Sequence, residues 1–442
     1  MIYLKQAWNL IKQEKLFSFI YIMGTGLSIA AVMLLAIVFY IKIGNNYPET
    51  NRDRMLIVKS AESLYPETDG GGGFMFRHGS WGGVSYQVLE QCFYSLENAE
   101  TVTGVYSSWD KDNLTVEGLH QPLQVKVKYI DRRFWTVFPF KFINGHSFSE
   151  EDMQSDVRTA VISETISNVL FGAKEAEGKY MTLNNESFRV AGVVKDAPSV
   201  MENSYADIWV PYTIHPKYKD SFSEDGAIGG MRVYMLAPSI YKIGEVKKEI
   251  LQNIQRFDSQ SEEMEFTLIG GPDRQWQSIF RYSSNNPIDF KKVAWQYGLV
   301  LFALFLIPAV SLSGMTDSRM ERRMAEIGVR RAFGAPPRSL MAQVFTENFL
   351  FTLLGGLVGL LLSYLLFYAT QDWIMEADQW HTSLPEYLKG NNNRFSLSMF
   401  INPGVFFITL GICFILNFLS AFIPAWRASH REIVYSIHHT NQ

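Results

Sequence analysis

Residues 17–41 read FSFIYIMGTGLSIAAVMLLAIVFYI, an apolar run without a single charged side chain. As a helix, a run of this length crosses the roughly 30 Å hydrocarbon core of a bilayer. Three lysines precede it, as in a secretory signal. However, the run is too long for the apolar part of a signal, and the following KIGNNYPETN has no small-x-small cleavage site. The stretch therefore predicts an uncleaved membrane anchor.

Three later apolar runs have the same character and predict three more membrane helices. The second run, WQYGLVLFALFLIPAVSLSGM, contains Pro308, which should bend the helix or break it locally. The third is longer than one bilayer requires, so its first turns around Glu347 should project into the cytoplasmic boundary. The four predicted spans are residues 17–42, 294–316, 339–370 and 403–426.

The distribution of Lys and Arg orients these spans, because short cytoplasmic segments are enriched in both residues. Positive charge is concentrated before the first span, between the second and third, and after the fourth. The loop between the third and fourth spans carries more acids than bases. Both termini are therefore predicted to be cytoplasmic. The remaining segments are a basic amphipathic lead-in helix at 1–16, an outside domain at 43–293, a cytoplasmic segment at 317–338, an outside loop at 371–402 and a cytoplasmic tail at 427–442.

The outside segment has the pattern of a folded α+β domain. Strand-like runs such as RTAVIS and ESFRVAGVV alternate with stretches whose apolar residues recur at helical spacing. Helices are predicted at 84–98, 163–171 and 239–256, and Cys92 in the first of them is interpreted as a buried core thiol. The predicted fold is membrane α-helical, with four transmembrane helices and a large α+β extracytoplasmic domain inserted between the first and second spans.

No set of residues in the sequence predicts catalysis or a metal site. FGAKEAEGKY (171–180) lacks the glycine spacing of a phosphate-binding loop and the Ser or Thr that would hold Mg²⁺. It is interpreted as a helix end that leads through a turn into a strand. GHSFS (145–149) lacks the closing glycine of a serine-hydrolase elbow, and Ser147 and Ser149 are expected to cap a turn before the acidic residues 150–152. The net charge of −4 gives nucleic-acid binding no compositional support.

Residues 319–335, RMERRMAEIGVRRAFGA, place five arginines between the second and third predicted spans. The segment predicts a short, amphipathic, net-basic helix that ends at Gly334 before two prolines. Arg322, Glu326 and Arg330 are spaced four apart, so opposite charges can pair along one face. From the residues alone three interpretations remain open: the helix sets topology and meets anionic lipid headgroups, it lies against the bilayer, or it docks another protein.

The order of residues in this segment resembles the coupling segment of the FtsX-like and macrolide-exporter-like permease family, in which an "R..EIG.R.A.GA" signature joins the second and third spans. Glu347, in VFTENFL, resembles a glutamate that follows in that family. PAWRASHREIVYSI (424–437) is similar to the family's closing segment, although the usual proline is replaced around Ile433. The outside domain resembles the family's periplasmic core in RRFWTVFPFKFINGHSFSEED and in RTAVISETISNVLFGAKEAEGKYMTLNNESFRVAGVVKD. The matching residues of the signature are Arg322 or Arg323, Glu326, Ile327, Gly328, Arg330 or Arg331, Ala332, Gly334 and Ala335.

This resemblance implies the transmembrane subunit of a mechanotransmission ABC transporter. Such permeases form dimers, and ATP-driven closure of cytoplasmic ATP-binding-cassette subunits moves their coupling helices. The movement passes through the spans to the periplasmic domain. By this resemblance the chain is not an enzyme and binds no cofactor, whereas ATP and Mg²⁺ are used by the partner ATPase. The residues implied to dock that ATPase are Arg322, Arg323, Glu326, Ile327, Gly328, Arg330, Arg331, Gly334 and Ala335.

The expected partners follow from the same resemblance. The macrolide exporter carries a fused N-terminal ATPase, whereas this chain begins directly on a basic helix, so we expect the ATPase to be a separate polypeptide. A second permease copy or a paralogue should complete a dimer in the inner membrane, in contact with lipid and with no nucleic acid. A periplasmic or outer-membrane partner is left open, as is the role of the loop at 371–402.

The sequence does not determine which process such a system drives. Efflux of a drug or peptide, extraction of a lipoprotein and activation of a wall enzyme all suit the class. An alternative from another class is a non-transporting sensor that binds a peptide or envelope ligand through its outside domain. An anchored envelope enzyme is disfavoured, because no catalytic set is evident and one anchor would have sufficed.

Overall fold

The computed structural model describes most of the chain, and the bounds below refer to that part. The residues described are 8, 11–13, 15–64, 79–106, 112–117, 120–155, 157–172, 175–260, 265–281, 286–300, 302–303, 336–377 and 403–430. The chain divides into two compact units. We call Met1–Ile41, Phe290–Trp373 and Leu397–Gln442 the helical unit, and Lys42–Asp289 with Ile374–Ser396 the sheet unit.

Nine α-helices with defined bounds occur in the described residues, beside three short 3-10 helices at Arg52–Arg54, Tyr212–Ile214 and Ile240–Lys242. In chain order they are α1 (Lys15–Ile43), α2 (Tyr86–Val88, continued as a π-helix at Leu89–Phe93), α3 (Phe134–Val137), α4 (Glu150–Gln154), α5 (Glu164–Phe171), α6 (Ile243–Asp258), α7 (Gln275–Ser278), α8 (Pro337–Ala377) and α9 (Pro403–His430). Residues 290–300 are also helical.

Two helices of the described part are long and apolar enough to cross a membrane. They contain the stretches Ser18–Ile43 and Phe345–Thr370, with mean hydropathies of 2.4 and 2.2. In α9 the apolar stretch Pro403–Ile415 is shorter than a span. The predicted span at 294–316 lies largely outside the described residues. The first and third predicted spans therefore have helices that fit them, and the count of four stays a prediction.

Among the described residues of the sheet unit, sixteen strands form one hydrogen-bonded network. They are β1 (Met55–Val58), β2 (Ala61–Leu64), β3 (Gly79–Val84), β4 (Thr101–Tyr106), β5 (Asp112–Thr115), β6 (Leu123–Val125), β7 (Val127–Ile130), β8 (Phe142–Gly145), β9 (Thr159–Ser163), β10 (Tyr180–Leu183), β11 (Glu186–Val194), β12 (Ile208–Pro211), β13 (Ile228–Gly229), β14 (Met231–Leu236), β15 (Glu265–Leu268) and β16 (Asp273–Arg274).

The sheet is mixed, which confirms the α+β class expected for this part of the chain. Its main path runs β15-β2-β3-β14-β4-β7-β12-β9-β11-β10-β5-β6. Four strands lie off this path: β1 pairs with β14 and β16, β13 pairs with β3, and β8 pairs with β11. Only β9 with β11 and β7 with β12 pair in parallel among the described strands. In β12 the burial is continuous over Ile208–Pro211, because this strand is central and covered on both faces.

The predicted helices of the sheet unit are present, and one is clearly shorter than its periodicity suggested. The region 84–98 is helical only at 86–93, whereas 163–171 matches α5, and 239–256 matches a 3-10 turn at Ile240–Lys242 followed by α6, which continues to Asp258. Ser149 caps α4 in a reciprocal capping box with Asp152, which confirms its expected role. Helix α5 ends at Gly172 in the left-handed conformation (φ 63°), and β10 follows from Tyr180, as expected for 171–180.

The core of the sheet unit is aromatic on one side of the central strands. Trp209 on β12 is fully buried, and the rings of Phe140 and Trp135 lie 5.0 and 5.9 Å from it. Phe134 and Phe138 on and after α3 are also fully buried. Cys92 is 1% exposed, which confirms the interpretation as a core thiol, and burial raises its pKa to about 12.

Candidate functional site

The residues predicted to dock an ATPase lie outside the part of the chain that the structure describes. Description stops at residue 303 and resumes at Pro336, and α8 begins one residue later at Pro337. Proline suits the first position of a helix, where its missing N–H removes no bond. The docking role stays a prediction for Arg322, Arg323, Glu326, Ile327, Gly328, Arg330, Arg331, Gly334 and Ala335.

Glu347, which resembles a family glutamate, lies in the first turn of the apolar stretch of α8. Its side chain is 2% exposed, and its Oε1 accepts a hydrogen bond from Gln343 Nε2 at 3.1 Å. The next residue, Asn348, accepts a 3.3 Å hydrogen bond from the Tyr21 hydroxyl of α1. The Tyr21 ring also packs against Phe351, with 4.8 Å between ring centroids. Polar and aromatic contacts thus join α1 to α8 at this level.

Further along the same helix pair, glycines allow the two backbones to approach closely. A Cβ at Gly359 would lie 2.8 Å from the carbonyl oxygen of Gly26 and 2.9 Å from Ile29 Cβ. A Cβ at Gly355 would lie 2.9 Å from the side chain of Thr25. Small residues are the usual means of close helix packing in lipid, where apolar burial offers little driving force. Helices α1 and α8 therefore pack closely against each other.

At the other end of α1, a buried ion pair fixes the chain where it enters the sheet unit. Arg52 Nε donates to Glu49 Oε2 at 2.7 Å, and the two side chains are only 2% and 0% exposed. Arg52 Nη1 also donates to the carbonyl oxygens of Lys42 and Gly44, at 3.0 and 3.1 Å. These carbonyls belong to the last turn of α1 and the residue after it. One guanidinium therefore holds the helix end by its main chain.

Glu49 also binds a loop that is distant in the sequence. Ser204 donates to Glu49 Oε1 from its backbone N at 3.1 Å and from its hydroxyl at 2.9 Å, and Asn203 Nδ2 donates to Oε2 at 3.3 Å. Burial alone would raise the pKa of Glu49. The charge of Arg52 and the hydrogen bonds from Arg52 and Ser204 outweigh burial and hold that pKa below its ordinary value. Glu49 is therefore a charged, fully bonded carboxylate inside the protein.

The loop that receives Glu49 is itself tied to the sheet. Lys128 on β7 donates from Nζ to the carbonyl oxygen of Glu202 at 2.7 Å and to that of Asn203. Asn203 Nδ2 donates to Gln275 Oε1 at 3.1 Å, which connects the loop to α7. Burial lowers the pKa of Lys128 well below its ordinary value. We call the set Lys42, Gly44, Glu49, Arg52, Asn203 and Ser204 the junction.

A second arginine holds the segment by which the chain leaves the sheet unit. Arg281 donates to Asp273 Oδ2 from Nε at 2.9 Å and from Nη2 at 2.5 Å. Its Nη1 donates to the carbonyl oxygen of Asn286 at 2.6 Å. Asp273 lies on β16, which pairs with β1 directly after the junction. Both passages of the chain are thus fastened by arginines that bind main-chain carbonyls.

The junction contains no arrangement suited to bond making or breaking. Its charges are paired, and the described residues hold no cluster of three His, Cys, Asp or Glu side chains that could bind a metal. What it supplies is stiffness, because every polar atom of Glu49 and most of Arg52 have fixed partners. Glu49, Arg52 and Arg281 were not among the site residues predicted from the sequence. The available signal was a pair of opposite charges three residues apart, close behind an apolar run.

The fold defines a class: a chain with membrane-length apolar helices in one unit and a large mixed-sheet domain in the other. Comparison with known proteins gives the family. The family model described as "MacB-like periplasmic core domain" matches residues 18–253, more than half of the chain, and that described as "FtsX-like permease C-terminal" matches residues 298–433. The chain belongs to the MacB/FtsX-like ABC transporter permease family.

Individual relatives agree with this assignment. The macrolide export ATP-binding/permease protein MacB of Pasteurella multocida (strain Pm70) is 23% identical over 293 residues, which cover 65% of this chain and 42% of that protein. The uncharacterized ABC transporter permease YvrN of Bacillus subtilis (strain 168) is 24% identical over 295 residues, covering 63% of this chain and 66% of that one. This chain therefore spans 42% of the length of the first relative and 66% of that of the second.

Solved structures show a fainter likeness. A domain of a putative permease from Porphyromonas gingivalis matches with a TM-score of 0.36 and 18% identity, over 52% of this chain and 92% of that one. The extracellular domain of the transporter YknZ from Gram-positive bacteria matches with a TM-score of 0.31 and 15% identity, over 47% of this chain and 99% of that domain. At such TM-scores the likeness carries no structural argument.

Proposed function

We propose that this chain is the membrane subunit of an ABC transporter in which a separate cytoplasmic ATPase drives a conformational change of the sheet unit, for efflux or for handling an envelope substrate. The ATPase would use the ATP and Mg²⁺, and a second copy or paralogue would complete the permease dimer in the inner membrane. Family membership supports the ABC partner. No phosphate-binding GxxxxGK[ST] pattern occurs within the 442 residues, so the proposal assigns ATP binding to the ATPase and not to these residues.

The single observation that carries this proposal is the junction. A helix can transmit a displacement along its axis, but only if its end is bonded to the part of the protein that it is to move. Here the end of α1 is bonded through Arg52 to Glu49, and through Glu49 to Ser204. Because both charges are buried and fully bonded, slippage would require exposing an unpaired charge, which costs several kcal/mol. A displacement of α1 would therefore reach the sheet unit rather than be lost at the boundary.

The predicted docking segment supplies the input side of the mechanism. Arg322, Glu326 and Arg330 would orient the segment on the ATPase through ionic contacts, and Ile327 with its apolar neighbours would fill a cleft. Gly334 and the small Ala335 would permit the tight passage into α8.

The experiment for the input side is affinity purification of the full chain in mild detergent from its own host. Glu326→Arg and Arg330→Glu are compared with matched charge reversals at Glu186 and Arg158, an exposed pair in the sheet unit. The proposal expects an ATP-binding-cassette protein to copurify with the wild type and with the Glu186 and Arg158 variants, and to be lost with the first two. Retention of the ATPase by all variants would leave the segment a topology and lipid anchor.

The output side is tested with a spin label at Tyr241, whose side chain is 96% exposed. The native thiols of Cys92 and Cys413 are both buried, so a Tyr241→Cys variant offers the accessible thiol among the described residues. We expect the distance between labels on the two copies to change when the ATPase is trapped with ATP. Arg52→Met should keep the ATPase bound yet lose this change. A ligand-dependent change that persists when hydrolysis is blocked would favour the sensor instead.

A further inference from the structure

One tyrosine of the segment that follows α1 is bonded to the sheet at a place that the junction does not include. The Tyr47 hydroxyl accepts a hydrogen bond from the Lys141 backbone N at 3.1 Å and donates one to the carbonyl oxygen of Lys195, also at 3.1 Å. Its half-buried ring packs edge-on against Phe140, with 6.0 Å between the ring centroids. Tyr47 is therefore held by two hydrogen bonds and a ring contact.

The Tyr47 hydroxyl lies at the end of the β8–β11 pair. Lys141 directly precedes β8 and Lys195 directly follows β11, and the Lys195 backbone N donates to the carbonyl oxygen of Lys141 at 2.9 Å. In a regular antiparallel pair the return bond would join the Lys141 N–H to Lys195 directly. Here the phenol oxygen bonds to both groups instead. Burial raises the pKa of Tyr47 to about 12, so the hydroxyl keeps the proton that it donates to Lys195.

Tyr47 and Glu49 belong to one tight turn. Asn46 and Glu49 form a backbone bridge that closes this turn, and we call residues 46–49 the entry turn. Glu49 accepts hydrogen bonds from Ser204, whereas Tyr47 binds the end of the β8–β11 pair. The entry turn is therefore bonded to the rest of the sheet unit at two separate places.

These two places lie at the same end of the sheet, with β9 between them. Val194 of β11 is level with Ser163 of β9, and the neighbouring Ile162 is level with Ile208 of β12. Ser204 lies shortly before β12. Neighbouring strands are about 4.8 Å apart, so the two places are separated by roughly 10 Å across the strands. A turn that is held at one point can pivot about it, whereas a turn held at two such points cannot.

We infer that Tyr47 is a positioning residue, whose hydroxyl acts together with Glu49 so that the entry turn is held on the sheet, and opens from it, as one unit. Opening of the turn then breaks the hydrogen bonds of Tyr47 and those of Glu49 together. This coupling goes beyond the proposed function, because it needs neither the ATPase nor its movement. Only its use, to divide a displacement between two parts of the sheet, rests on that function.

The test is hydrogen exchange of single backbone amides, resolved by mass spectrometry, in the purified full chain in detergent and without the ATPase. Tyr47→Phe removes the hydroxyl and keeps the ring. Tyr180→Phe makes the same change at a tyrosine that is 68% exposed and serves as the matched control.

Three amides report on the entry turn and its surroundings. The Lys141 amide donates to the Tyr47 hydroxyl, and the Ser204 amide donates to Glu49. The His146 amide donates to a carbonyl oxygen of β11 at the other end of the β8–β11 pair, and it reports on the sheet itself.

Tyr47→Phe should speed exchange at Lys141, which loses its acceptor. Because the turn opens as one unit, exchange at Ser204 should also become about fivefold faster, the factor that corresponds to one hydrogen bond of ordinary strength. His146 should exchange as in the wild type, and Tyr180→Phe should change none of the three rates. Coupling is reciprocal, so Ser204→Ala, which removes the hydroxyl that bonds to Glu49, should speed exchange at Lys141.

Two results would overturn the inference. An unchanged rate at Ser204 in Tyr47→Phe, or at Lys141 in Ser204→Ala, would show that the two attachments open independently and that Tyr47 only caps the β8–β11 pair. Equal acceleration at His146 would show that the substitution loosens the sheet as a whole. Neither result depends on whether an ATPase moves this protein, so failure of the proposed function would be seen separately.

Discussion

The buried ion pair of the junction makes a quantitative prediction about stability. Glu49→Ala removes a carboxylate that accepts hydrogen bonds from Arg52, Ser204 and Asn203, and leaves the Arg52 guanidinium buried without a counter-charge. Breaking a buried pair in this way costs about 3–5 kcal/mol. For a unit of this size, ~1 kcal/mol shifts Tm by about 2–4 °C, so we expect a fall of roughly 6–20 °C.

The chain offers a matched control. Arg158 Nη2 and Glu186 Oε1 are also 2.7 Å apart, but their side chains are 49% and 43% exposed. Water and salt screen such a pair, which typically contributes 0–1 kcal/mol. Glu186→Ala should therefore lower Tm by at most about 4 °C. The assay is intrinsic tryptophan fluorescence of the full chain in detergent during heating, because Trp209 lies in the core of the same unit.

Two further measurements sharpen the result. Replacing both charges, in Glu49→Gln with Arg52→Met, should cost less than the sum of the single changes, since neither buried charge is then left alone. The folded-state pKa of Glu49 is lowered, so its contribution is present above the ordinary pKa of about 4.5 and is lost as pH falls through the lower folded value. Equal decreases in Tm for Glu49→Ala and Glu186→Ala would refute the reasoning. The distance between the paired N and O atoms, rather than their burial, would then determine the loss of stability.

Three other predictions concern separate parts of the molecule. Burial raises the pKa of Asp207 to about 6. The stability that the protonated carboxyl contributes is therefore complete below the ordinary pKa of about 3.8 and is lost as pH rises through 6. Asp207→Asn should remove this pH dependence of Tm between those two values, which amounts to at most about 3 kcal/mol. Gly359→Leu should separate α1 from α8, seen as lost crosslinking between cysteines placed on the two helices, whereas Gly411→Leu, where a Cβ meets nothing within 4 Å, should keep it. Ser149→Ala should cost about 1 kcal/mol in thermal unfolding through loss of the helix cap, and an unchanged Tm would contradict the cap's role.

Local patterns in the sequence predicted local structure well. The end of α5 at Gly172 and the cap at Ser149 were foreseen because each depends on residues within one turn. The strand at 186–194 follows from its β-branched and aromatic alternation, which a mixed sheet then buries. The predicted helix at 84–98 was too long, since Tyr94 and the following residues turn away after the π-helical turn at Leu89–Phe93.

The junction was beyond sequence reasoning for a physical reason. Glu49 and Arg52 look like ordinary solvated charges beside a membrane span, and only the loop around Ser204, more than 150 residues away, buries them. The same holds for Arg281, whose partner carbonyl at Asn286 shows no side-chain signal at all. By contrast, the arginine segment was conspicuous in the sequence through composition alone.

The way in which Arg52 and Arg281 bind carbonyl oxygens bears on how this protein could be rebuilt. Carbonyl groups are present whatever side chain is attached, so apart from the carboxylates of Glu49 and Asp273 the two arginines need no particular side chain from the residues that they hold. What must be preserved is the pairing of each arginine with the stretch of backbone that it binds. A chimera that exchanges the block from Lys42 to Asp289 as a whole would carry both fastenings with it. A cut placed in the apparent linker GNNYP, at residues 44–48, would divide Arg52 from the helix end it holds.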